Sequence, residues 1–158
     1  MRLYHGSNVM IDEVDFAKCH PFKDFGCGFY LTDNRKHARN MAFRRCMRTG
    51  GKECVTEFEF NLTSASQDLK VKVFDRPSEE WAEFVMKNRN EAESHPVHDY
   101  DIVIGPIADD SVVMSFRLFQ DGYISISELV KRLEYRELST QYFSVSYTHL
   151  TLPTNSRV

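Results

Sequence analysis

The chain is short of several things, and each shortage narrows what it can be. Its 158 residues include four cysteines, Cys19, Cys27, Cys46 and Cys54, and no two stand in CxxC spacing. That argues against short-range zinc and dithiol motifs and leaves reduced thiols in a cytosolic protein as the expectation. No window approaches the roughly 18 apolar residues of a membrane span, and "MRLYHGSNVM" lacks the apolar run of a secretory leader. Neither sign of charge dominates. Twenty Lys and Arg against 23 Asp and Glu give a net charge of -3, which makes no global electrostatic case for nucleic acid. A cytoplasmic protein away from the membrane is expected.

Apolar and aromatic residues are plentiful instead. Hydrophobic residues make up 42% and aromatics 13%, the latter mostly 12 Phe and 7 Tyr. That suffices for one domain with a single core, and flat rings suit both sheet faces and stacking pockets. "MRLYHGS" reads as a strand, followed by a long loop broken by Pro21, Gly26 and Gly28, then the brief buried strand "FYLT". Ala38, Met41, Ala42 and Cys46 recur at helical spacing after a cap at Thr32, Asp33 or Asn34, and Gly50-Gly51 can end that helix. "CVTEFEF" alternates, with Cys54, Thr56, Phe58 and Phe60 inward; "LKVKVF" alternates with Leu69, Val71 and Val73 inward. A helix over "PSEEWAEFVMKNR" buries Trp81, Phe84 and Val85. A fully apolar strand, "YDIVIGP", two further helices and a strand "QYFSV" complete the pattern, the second helix opening on a Ser125–Glu128 capping box.

Domain organisation follows: residues 1–145 form the domain and 146–158 are set apart. From about Ser146 the text "SYTHLTLPTNSRV" has neither helical nor strand periodicity. It reads as a loose terminus, and it closely resembles a translated sequencing-library adapter.

Two stretches raise a chemical question. His5 lies near the end of an apolar strand, where most histidines are structural, yet Gly6 permits close backbone approach and Ser7 adds a hydroxyl at the same lip. A neutral imidazole can donate to a ribose hydroxyl while the Gly6 amide and carbonyl bond a planar carboxamide. In "DFGCGFYLT", Tyr30 is either a core ring or a stacking surface whose open side is provided by Gly28. Arg35, Lys36, Arg39, Arg44, Arg45 and Arg48 come with no acid among them. They read as a solvated helix face or as a basic patch that meets phosphates. Asp109 and Asp110 read as helix caps. His95 and His98 have metal-compatible spacing but no supporting ligand pattern, so no metal is expected.

Taken together, "LYHGS", "DFGCGFYLT", "NR" at Asn88-Arg89 and "YDIVIGPIADD" at 100–110 resemble the ADP-ribosyltransferase superfamily of the His-Tyr type, the poly(ADP-ribose) polymerase-like group. Within it they look closest to an uncharacterised bacterial domain family. The resemblance covers roughly residues 2 to 143. It implies an α+β fold, a split β-sandwich of two small, mostly antiparallel sheets with helices around it. It also implies NAD as substrate and a mono-ADP-ribosyltransferase-like activity. The acceptor would be a protein, a nucleic acid or a small molecule, and an inhibitory antitoxin partner follows by analogy. His5 would hold the adenosine-side ribose hydroxyl, Gly6 the carboxamide, and Tyr30 the nicotinamide ring. Gln141 would take the third position, with Ser7, Gly28 and Arg35 beside the cofactor. A Glu several residues beyond that Gln belongs to the family's pattern; here about Tyr147 fills its slot. The alternative is a module of the same fold that binds NAD or a protein without turnover.

Overall fold

The computed structural model describes residues 1–146 and 148–152. The first strand, β1 (Arg2–Ser7), leads through a loop containing a single 3-10 turn at Phe16–Lys18 to β2 (Phe29–Thr32). Next come α1 (Arg35–Thr49), β3 (Cys54–Phe60), α2 (Leu62–Asp68) and β4 (Val71–Val73). The chain continues through α3 (Glu79–Asn88), β5 (Ile102–Pro106), α4 (Asp110–Gln120), α5 (Ile126–Glu134), β6 (Thr140–Ser144) and β7 (Leu150–Thr151).

Each helix starts on a side chain that accepts from an otherwise free backbone amide. Asn34 accepts from His37, Ser78 from Trp81, Asp109 from Val112 and Ser125 from Glu128. Helix α2 was not anticipated. Asn61 caps it, but "LTSASQD" buries only Ala65, so its sequence carries no apolar stripe to announce it.

Among the described residues seven strands form one hydrogen-bonded sheet in the order β4-β5-β6-β2-β1-β3-β7, and of its pairs only β4 and β5 run parallel. The mixed α+β class is therefore as expected, but the ladder is continuous where two separate sheets were expected. Its halves meet at a single registered pair, Tyr4 with Thr32. Strand patterns reveal which segments are extended; they do not reveal which edges zip together or how far. Leu150–Thr151, in the segment set apart on sequence, pairs with Glu59 and Phe60 at the far edge. The slot at Tyr147 lies outside the described residues.

Alternation along the central strands builds a core on each face. Val103 and Phe143 join Phe25, Trp81, Val85 and Leu129 on one side. Ile102, Ile104 and Tyr142 join Leu3, Phe29 and Phe58 on the other. Trp81 is fully buried, and its indole N–H donates to the Pro106 carbonyl at 3.2 Å. A side chain of that size, buried and satisfied, contributes about 3 kcal/mol.

Two residues expected to face inward do not. Met41 is 43% exposed: Ala38 and Ala42 are the buried residues of α1, and Met41 lines an open cleft. Val73 is 46% exposed; it ends the edge strand β4. Among the described residues no helix is long and apolar enough to cross a membrane.

Candidate functional site

The site grows out of the seam between β1 and β2. The backbone of Met1 exchanges hydrogen bonds with Phe60, its N–H donating at 2.7 Å and its carbonyl accepting at 2.8 Å. Antiparallel partners alternate between bonded and non-bonded pairs, so the odd residues of β1 face β3 with their N–H and C=O. The even residues, Tyr4 and Gly6, therefore point theirs at β2. Tyr4 finds Thr32. The next partner of a zipped ladder would be Tyr30 opposite Gly6, and no such pair forms.

His5 explains the gap. Its Nδ1 lies 2.7 Å from the Tyr30 carbonyl, taking the acceptor that the Gly6 amide would otherwise use. The ring stacks on Phe29 with centroids 4.3 Å apart. A carbonyl can only accept, so Nδ1 carries the proton and Nε2 is left as an acceptor. Desolvation, partly offset by the Tyr30 bond, lowers the imidazole pKa from 6.5 to about 4. The ring is therefore neutral at pH 7. The expected role of donor to a ribose hydroxyl is corrected: the free nitrogen accepts.

The opened seam is one wall of a cleft of about 520 Å³. His5, Gly6, Tyr30 and Gln141 all line it. From α1 come His37, Met41, Arg44 and Arg45, and from the loop before β2 come Lys23 and Asp24. Arg89 and the segment Ile107–Asp110 complete the far side. Each of the sequence motifs singled out above thus sends at least one residue to this place.

Tyr30 is fixed at its hydroxyl. It donates to the Gly26 carbonyl at 2.7 Å and accepts from the Phe25 amide at 2.9 Å. Burial pushes its pKa well above the usual value, so it stays neutral. Phe143 meets the ring edge-on, and the Lys23 ammonium stands 5.2 Å from its centroid. A cation over an aromatic face is held by the ring's quadrupole, so this ring already presents a surface for a positively charged group.

Gln141 is buried and donates through Nε2 to Asp24 Oδ2 at 2.8 Å and to the Pro106 carbonyl at 3.2 Å. Asp24 Oδ2 also accepts from the Ala108 amide at 3.0 Å, and Oδ1 lies 3.5 Å from Arg89 Nη1. Desolvation raises the Asp24 pKa, opposed by the Ala108 amide, Arg89 and Gln141 in that order. Asp24 was not singled out on sequence. Its role depends on partners as far as 117 positions away, and local spacing carries no trace of them. Arg89 enters the cleft rather than solvent alone, while Asn88 is buried and donates to the Phe84 carbonyl at 2.8 Å.

Three anticipated positions stand elsewhere. A Cβ on Gly28 would come within 2.3 Å of the Phe143 ring. This glycine admits a core phenylalanine and leaves no open side for a ligand. Ser7 is buried and does not line the cleft. Arg35 is exposed at the start of α1, also off the cleft wall. His98 is structural: Nδ1 accepts from the Tyr100 amide at 3.1 Å, so Nε2 carries the proton and donates to the Phe25 carbonyl at 2.7 Å. It keeps no lone pair for a metal, and no group of three or more His, Cys, Asp or Glu among the described residues has metal-binding geometry.

No curated protein and no solved structure matches this chain. One family model does, over residues 1–152, nearly the full length. The protein belongs to the family described as "Protein of unknown function (DUF3990)".

Proposed function

We propose that the cleft binds NAD by its nicotinamide end and that the protein is a mono-ADP-ribosyltransferase-like enzyme of the His-Tyr type. The observation that carries this reading is the unzipped seam at Gly6 and Tyr30. An extended strand with a free N–H and a free C=O side by side matches the acceptor and donor of a planar carboxamide. The Tyr30 ring beside it suits a flat, positively charged pyridinium, in the place Lys23 now covers. His5 Nε2 accepts from a ribose hydroxyl. Lys23, Arg44 and Arg45 line the same cleft and complement a pyrophosphate. The volume suits a ligand of this class.

The reaction is displacement at the anomeric carbon. The bond between C1′ and the pyridinium nitrogen breaks, and its electron pair leaves with neutral nicotinamide. Positive charge grows on the ribose ring. The acceptor's nucleophile then adds to C1′ and gives up its proton. Gln141 lines the same cleft; with both Nε2 hydrogens held by Asp24 and Pro106, its Oε1 is the atom that would orient a ribose hydroxyl, and an amide cannot ionise. Single transfer is therefore favoured over chain elongation.

One observation favours a second reading, binding without turnover. The carboxylate beside Gln141, Asp24, is already engaged by Ala108, Gln141 and Arg89. That leaves it poorly placed to stabilise an oxocarbenium ion. Incubating the purified chain with NAD and measuring free nicotinamide separates the two. Release that disappears in Tyr30→Ala supports the enzyme. NAD binding with no release supports the module, and no binding removes both.

A further inference from the structure

Helix α1 presents an outer surface that the fold leaves uncovered and that only Arg44 shares with the cleft. Only Ala38 and Ala42 of its 15 residues are buried. Opposite them, at helical spacing, run Lys36, Asn40, Phe43 and Met47. Phe43 is 52% exposed and Met47 72%. Arg39 flanks this stripe on one side, and Arg44 and Arg48 on the other. The helix bears six cations and no acid, in a chain whose net charge is -3. The rest of the chain holds 14 Lys and Arg against 23 Asp and Glu, a net charge of -9, while α1 alone carries +6. None of the six has an ion pair among the described residues.

Composition identifies the kind of partner. Protein interfaces are enriched in Arg, Met and aromatic residues and depleted in Lys, Glu and Asp. The outer face of α1 follows that pattern, with one Lys and no acid. A surface built for phosphates alone has no use for Met47 beside Phe43, whereas unbranched thioethers adapt well to apolar side chains. Guanidinium groups at the flanks match carboxylates in paired geometry. We infer that the outer face of α1 docks an acidic, amphipathic polypeptide segment of another protein. The segment's apolar residues cover Phe43 and Met47, and its carboxylates meet Arg39, Arg44 and Arg48. Because Arg44 also lines the cleft, a segment seated here stands at the cleft mouth. The inference does not depend on what fills the cleft.

The test is selection from a random peptide library displayed on phage, using the folded chain as bait. The best peptide is then synthesised with a fluorophore and titrated by anisotropy. The comparison protein carries Arg39→Glu, Phe43→Ser, Met47→Ser and Arg48→Glu, none of them buried or on the cleft wall. Phe43→Ser alone serves if that combination fails to fold. The expected winners carry Asp or Glu around apolar residues, and they bind the altered chain at least about tenfold more weakly. Four results overturn the inference: no enrichment; enrichment indifferent to the substitutions; tighter binding of oligo-dT, which would make the surface a nucleic-acid site; or self-association in sedimentation that the same substitutions abolish, which would make it a contact between copies.

Discussion

The His5 imidazole donates to the Tyr30 carbonyl at 2.7 Å, and in doing so it stands in for the backbone amide of its own neighbour, Gly6. A side chain thus closes off the ladder from within and leaves a glycine backbone facing an open groove. The site depends on that substitution.

Removing the imidazole should therefore act on both fold and binding. His5→Ala leaves the Tyr30 carbonyl without its donor. An unsatisfied buried carbonyl costs about 1–3 kcal/mol. A lowered urea midpoint together with at least about tenfold weaker NAD binding is expected. Chemical denaturation and calorimetric titration read the two effects separately.

Acid should destabilise the protein through the same residue. The folded pKa of His5 is about 4 against 6.5 for the free side chain. Between those values the unfolded chain binds a proton that the native chain does not, so stability rises with pH across that window. It is fully present above 6.5 and is lost as pH falls toward 4. His37, also depressed by burial, adds in the same direction. His5→Gln keeps a donor but does not titrate, and its stability–pH curve should be flatter there. Nitrogen NMR shifts should report the Nδ1-protonated tautomer at pH 7.

Two glycines should differ in what they tolerate. A Cβ on Gly6 would lie 1.8 Å from the Ala38 carbonyl oxygen, a backbone atom that cannot move without lifting α1 from β1. Gly6→Ala should cost about 3 kcal/mol or more. At Gly28 the nearest atoms belong to the Phe143 ring at 2.3 Å, a buried side chain whose shift disturbs the core but leaves the backbone of α1 and β1 in place. Gly28→Ala should cost less. Urea unfolding of the two variants gives the order, and the reverse order would contradict the packing described.

Asp24→Ala should destabilise by about 3 kcal/mol, because it strips the Ala108 and Gln141 amides of their shared acceptor and the buried Arg89 Nη1 of its counter-charge. Gln141→Glu instead places a second carboxylate beside Asp24. The pair then competes for charge, one pKa rises, and stability should fall as pH is raised through it. Thermal unfolding from pH 5 to 8 measures this.

Much of the architecture was legible beforehand, for identifiable reasons. Capping residues Asp109 and Ser125 announce helices because an amide needs an acceptor wherever the ladder starts. Ile102 to Ile104 announce a strand buried on both faces because every position is apolar. His5, Gly6, Tyr30 and Gln141 were singled out from the motifs that contain them. What the sequence hid is non-local. Phe143 filling the space beside Gly28, Asp24 reaching Gln141, and the halves of the sheet joining at Tyr4 and Thr32 all depend on which segments meet. Met41 and Val73 illustrate the same limit on a smaller scale. Their periodicity says inward, but Met41 faces the open cleft and Val73 ends an edge strand.

The most direct measurement is the backbone amide of Gly6 in a proton–nitrogen correlation spectrum, followed through a titration with NAD. A carboxamide seated against the seam predicts a large shift at Gly6, smaller ones at Tyr30 and Gln141, and none of these in His5→Ala. Saturation with NAD that leaves the Gly6 signal where it was would contradict the account.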